Sequence, residues 1–181
     1  MTALEGTALI RTHPPEDRGP GAPRDVEVRV LAQPEALVTV RTVAGDLAAR
    51  AEFPLDAVDD LRLAVDEACT CLAGLARPGT KLTVTFTVDD DRITVTSSVS
   101  TTGPTGLPTT TFAWRVLTVL ADDVRVLSEA PTAPGEAHRL ALRMTLVRPA
   151  LGASLGASDD HVPPRDAAVS FMPERPGSPG P

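Results

Sequence analysis

Apolar residues recur along the chain with two different periods, and each change of period marks a change of element. Val26, Val28 and Val30 alternate with charged residues, so 25–31 reads as a half-buried strand. Pro34 then opens a helix, at a first-turn position where its missing N–H removes no bond. Leu37, Val40, Ala44, Leu47 and Ala48 follow at three- and four-residue spacing. The spacing resumes after Phe53, Pro54 and Leu55 in a second helix, with Asp56 as the expected N-cap and Asp59 and Asp60 favourably placed in the first turn. That helix should run to about Ala76, ahead of Pro78 and Gly79.

Two alternating runs come next. Leu82, Val84, Phe86 and Val88 share one face and Ile93 and Val95 another, with Asp89, Asp90 and Asp91 as the turn of a hairpin. Residues 99–110, rich in Ser, Thr, Gly and Pro, read as a long loop. A third helix over about 111–121 carries Phe112, Val116, Leu117 and Leu120, and two last strands span 124–128 and 138–147. The order β-α-α-β-β-α-β-β segregates helices from strands. It predicts an α+β fold, a two-layer sandwich of three helices on a mostly antiparallel sheet.

Composition trims this picture at both ends. Of the 18 prolines, those of 1–24 and 149–181 sit among glycines and polar residues, and both tails are expected to be disordered, leaving 25–148 as the folded domain. A net charge of −7 argues against a surface that clamps nucleic acid directly. No apolar run is long enough to cross a bilayer, and the N-terminus lacks a basic-then-apolar signal, so the expected compartment is the cytoplasm. The two cysteines, Cys69 and Cys71, are too close to staple the fold and too few to cage a metal, and no metal site is expected.

The second helix holds the candidate chemistry. At about 100° per residue, Val58, Leu61, Val65, Ala68 and Leu72 form its core stripe, and Asp59, Arg62, Asp66 and Thr70 lie opposite. Glu67 and Cys71, four apart, share a boundary face between core and water. Glu67 is either a solvated helix carboxylate or a general base at the rim of a pocket. Cys69 reads as a small core hydrophobe, and Trp114 as a packing residue beside core positions of the third helix.

The segment DLRLAVDEACTCL (60–72), together with FAWRVLTVLADDVRV (112–126), resembles the RsbW/SpoIIAB family of anti-sigma factors. These are protein serine kinases of the GHKL ATPase superfamily, and the likeness points to its actinobacterial UsfX/UshX-type branch. It covers about 26–147, and the element order derived above matches the family's Bergerat-type sandwich. Carried over residue by residue, the family's catalytic glutamate falls on Glu67. Its Mg²⁺-holding asparagine falls on Cys71, a poor ligand for a hard cation. Its adenine-reading aspartate falls on Val99, which cannot accept a hydrogen bond. Its phosphate-cradling glycine loop falls near Thr111 and Ala113, where side chains obstruct close backbone approach. Gly103 and Gly106 are the glycines left nearby.

The resemblance therefore implies a degenerate nucleotide site, with no cofactor expected. It implies binding and sequestration of an alternative sigma factor of the SigB/SigF/SigH type, in stress response or sporulation. Release would come from a STAS-domain anti-anti-sigma factor by partner switching, and a homodimer is expected. The partner surface implied is on the first helix, at Arg41 with Leu37; without the family, Arg41 would read as an ordinary solvent arginine. The alternative is an active kinase that phosphorylates the anti-anti-sigma factor with Mg-ATP, Glu67 serving as base.

Overall fold

The computed structural model describes residues 8–12 and 24–149, all within one compact unit. In chain order the elements are β1 (Leu9–Thr12), β2 (Arg24–Leu31), α1 (Pro34–Arg50), α2 (Leu55–Leu75), β3 (Lys81–Val88), β4 (Arg92–Thr101), α3 (Phe112–Leu120), β5 (Asp123–Glu129) and β6 (His138–Val147). The strands form one antiparallel sheet in the order β1-β2-β3-β4-β6-β5. The α+β sandwich and its expected order hold, with one strand added in front.

That strand corrects the tail assignment. Leu9–Thr12 falls in the tail expected to be disordered, yet it pairs with β2 in the register Ile10 with Val28 and Thr12 with Val26. Four exposed residues leave too short a pattern to read, and the backbone ladder to β2 supplies the order. Arg24, at the end of the same expected tail, opens β2; apart from Ala8 and Pro149, the rest of both expected tails lies outside the described residues.

Period-two alternation fills one side of the sheet. Val28, Val30, Leu82, Val84, Phe86, Ile93, Val95, Leu140, Leu142 and Met144 are buried beneath the helices. The hairpin register sets Phe86 against Val95 and Val88 against Ile93, so the two faces expected to differ are the same side of the sheet. From above, α2 presents Val58, Leu61, Val65, Ala68 and Leu72, all buried, as its period demands. α1 adds Leu37, Val40, Ala44 and Ala48. No helix among the described residues is long and apolar enough to cross a membrane.

Three local expectations change. Asp56 lies inside the first turn of α2 rather than capping it; the N-cap is Pro54, and the Asp56 carboxylate accepts from the N–H of Ala57. β4 runs on to Thr101, because Ser97, Val99 and Thr101 keep the inward alternation although two of them are polar. On α3, Leu117 alone is fully buried, whereas Phe112 is 79% exposed. The helix begins with Phe112, and its cap, Thr111, turns that first residue away from the core.

Between α1 and α2 the chain reverses in a tight cap. Glu52 N–H donates to Ala49 O and Phe53 N–H to Ala48 O, with Glu52 at φ 57°. This is a Schellman turn, and Phe53 beyond it is buried near the helix end.

Candidate nucleotide and partner site

α2 sets the geometry. Glu67 and Cys71 are both half-buried on its boundary, as the helix phase requires, and α3 packs along the same helix. No side-chain hydrogen bond ties Glu67 to a neighbour among the described residues. Burial pushes the Cys71 thiol pKa up, and the adjacent Glu67 carboxylate pushes it the same way. A protonated thiol offers nothing to a hard divalent cation, so this pair lacks the oxygen set Mg²⁺ takes.

The adenine end fits no better. Val99 is 2% exposed and packed in the core. Its inward-facing neighbours already have partners: Ser97 Oγ meets Cys69 Sγ at 3.7 Å, and Thr101 Oγ1 donates to Gly103 O at 2.8 Å. Among the described residues no buried side-chain nitrogen or oxygen lacks a hydrogen-bond partner. No polar group there awaits an exocyclic amine.

The loop between β4 and α3 is fastened to itself and to the sheet. Gly103 O accepts from the hydroxyls of Thr101 and Thr105, and Thr105 O accepts from Ser128 of β5. Leu107 packs against the core. Thr111 donates to Pro108 O and caps α3 by accepting from the Trp114 N–H at 3.3 Å. Neither Gly103 nor Gly106 has a positive φ, and a Cβ at either would meet nothing within 4 Å. Their backbone forms no cradle that glycine alone permits. Thr111 and Ala113, where the family's phosphate glycines fall, are a cap and a half-buried helix residue. Taken together, the residues present do not fit a magnesium nucleotide.

The helical surface is organised differently. Arg41 Nη1 lies 3.1 Å from Asp66 Oδ2, joining α1 to α2. Arg62 lays its stem over Gly45, where an added Cβ would come within 2.9 Å of Arg62 Cδ. Val38 and Leu63 are each about half exposed on these two helices. Leu37, expected beside Arg41 at the partner surface, is instead 4% exposed and belongs to the core. One turn of helix separates the two, but the apolar stripe claims Leu37 and leaves Arg41 at its margin. Sequence reasoning missed Asp66 as the partner of Arg41; the opposite charges were visible, but not the register between the helices. Cys69 is fully buried and its thiol is pushed up to about 12, chiefly by burial; both cysteines are free.

Two curated relatives match the chain, each named "Anti-sigma-F factor RsbW", from Mycobacterium tuberculosis strains CDC 1551 / Oshkosh and ATCC 25618 / H37Rv. Each is 38% identical over 106 residues, which is 59% of this chain and 63% of the relative. The chain thus spans less than two thirds of their length. The family described as "Histidine kinase-like ATPase domain" matches residues 30–130, from within β2 to just past β5. With the sandwich in place and more than half of its length matched, the chain belongs to the histidine kinase-like ATPase domain family, as the likeness of α2 and of the α3–β5 segment implied.

Proposed function

We propose that this chain is an anti-sigma factor that works by binding rather than by phosphorylation. It sequesters an alternative sigma factor of the SigB/SigF/SigH type and keeps it from RNA polymerase core enzyme. A STAS-domain anti-anti-sigma factor competes for an overlapping face and releases it. The observation that carries the reading is the 38% identity to relatives named as anti-sigma factors, in a chain whose Cys71, Val99, Thr111 and Ala113 stand where nucleotide ligands would be. Switching by mass action needs only different affinities for the two partners, so lost catalysis does not disable it. The α1–α2 surface around Arg41 is the proposed sigma contact, and a homodimer is part of the proposal.

One residue favours the kinase alternative: Glu67 is present and half-buried, where a base for a serine hydroxyl would stand. Reconstituted transcription separates the two. The purified chain, added to RNA polymerase carrying the alternative sigma factor, should inhibit stoichiometrically, and the STAS protein should restore transcription without ATP. No inhibition at equimolar chain would end the anti-sigma reading. ATP-dependent labelling of the STAS protein, lost in Glu67→Ala, would replace binding with phosphorylation.

A further inference from the structure

Two arginines cross the groove between α1 and α2 in opposite directions. Arg41 and Gly45 stand about one turn apart on α1, and Arg62 and Asp66 about one turn apart on α2. Arg41 reaches from α1 to α2, where it donates to Asp66 at 3.1 Å. Arg62 reaches the other way and lays its stem over Gly45, whose missing Cβ leaves the space. The four positions make a square. Arg62 and Asp66 are four apart on one helix, a spacing at which opposite charges pair, yet Asp66 is held from across the groove.

Arg62 is the less committed of the two arginines. Its Nη1 lies 3.7 Å from Asp59 Oδ1, too far for a hydrogen bond, and its side chain is 48% exposed. Asp46, beside Gly45, is already paired with Arg50 at 2.8 Å. Asp66 has one side-chain hydrogen bond among the described residues, the one from Arg41. A guanidinium only donates, so what Arg41 binds on a partner must be an acceptor, and a carboxylate matches its fork. Asp66 stands where that carboxylate would arrive, and two carboxylates at one guanidinium repel. If Asp66 lets go, a half-buried carboxylate is left alone, at a cost to the contact.

We infer that Arg62 is a positioning residue for the Arg41 contact: as a partner carboxylate takes Arg41, Asp66 passes from Arg41 to Arg62. The inference rests on the reading of the α1–α2 surface as the sigma-factor face. In the free chain Asp66 ties α2 to α1, and in the complex it pairs along its own helix. Arg62 thus supports binding without touching the partner, and only through Asp66. Once Asp66 loses its charge, there is nothing for Arg62 to receive.

The test is a double-mutant cycle on the full chain, titrated calorimetrically with the sigma factor whose transcription the parent inhibits. Arg62→Gln should weaken binding roughly two- to fivefold, the range of a partly exposed ion pair, and Arg62→Lys should recover most of the loss. Asp66→Asn should bind at least as tightly as the parent. Adding Arg62→Gln to Asp66→Asn should cost nothing further. Melting temperatures taken beside each titration show that all four variants are folded. Parent affinity in Arg62→Gln would overturn the inference. So would an equal loss in the Asp66→Asn background, which would make Arg62 a direct contact. Both outcomes leave the anti-sigma reading standing, whereas a parent chain that binds no sigma factor ends that reading and this inference with it.

Discussion

At the scale of single residues, Cys69 and Ser97 show how a polar group is kept inside. Both are fully buried, sulfur to oxygen at 3.7 Å. Cys69→Ala would leave the serine hydroxyl unpaired and should destabilise the fold by about 1–3 kcal/mol, with Ser97→Ala in the same chain recovering part of it. Chemical denaturation of the three variants measures this. The same thiol gives a pH signature. It ionises near 9.0 in the unfolded chain but at about 12 in the fold, so its contribution is intact below pH 9 and is lost as pH climbs toward 12. The upward push on Cys71 acts in the same sense. With no tyrosine and a single lysine, Lys81, little else in the chain titrates there, and removing both thiols should flatten the alkaline decline in melting temperature. Arg41 tests the other kind of residue. Its pair with Asp66 is partly exposed, so Arg41→Ala should change stability by no more than about 1 kcal/mol. Its loss of sigma-factor affinity should be larger, about 2 kcal/mol if it is an interface anchor, and Asp66→Ala separates the pair from the contact. Equal affinity in Arg41→Ala would remove it from the interface.

At the scale of elements, the α1–α2 cap is the place where a side chain meets an unfavourable backbone. Glu52 occupies the left-handed position of the Schellman turn, where glycine is the usual residue. Glu52→Gly should raise stability by about 0.5–1 kcal/mol, readable as a higher melting temperature, since its 3.9 Å contact with Arg148 is too long and exposed to offset the strain. The periods that located α1, α2, β3 and β6 worked because each buries one face, and burial writes itself into spacing. They failed where order comes from elsewhere. β1 is held by backbone bonds to β2, and the end of β4 by its ladder to β6, with Ser97 and Thr101 at inward positions where apolar residues would have shown the period. For the site, the boundary position of Glu67 and Cys71 followed from helix phase alone. That Leu37 faces the core was already written in its spacing with Val40 and Ala44, against the partner role the family likeness implied; whom Arg41 would meet depended on how two helices lie against each other, which one-dimensional spacing does not encode.

At the scale of the whole molecule, the absent ligands and the filled core bear on one test. With Val99 packed inside and the loop before α3 pinned by Leu107 and Ser128, calorimetric titration with Mg-ATP should give no binding heat at micromolar concentrations, and saturating nucleotide should leave the melting temperature where it was. Micromolar affinity would restore the kinase reading. The strand order has a separate consequence, for how the molecule comes into being. Among the described residues β6 is the last strand to be made, yet it lies between β4 and β5 and pairs with both along its length. A nascent chain that has emerged only through Glu129 holds two open edges facing an empty slot, for as long as translation takes to supply the next residues, at roughly 5–20 per second. Until His138–Val147 arrives, those edges invite pairing with neighbouring chains on the same polysome. A stop codon in that stretch would not trim the domain but leave β5 cut off from the rest of the sheet.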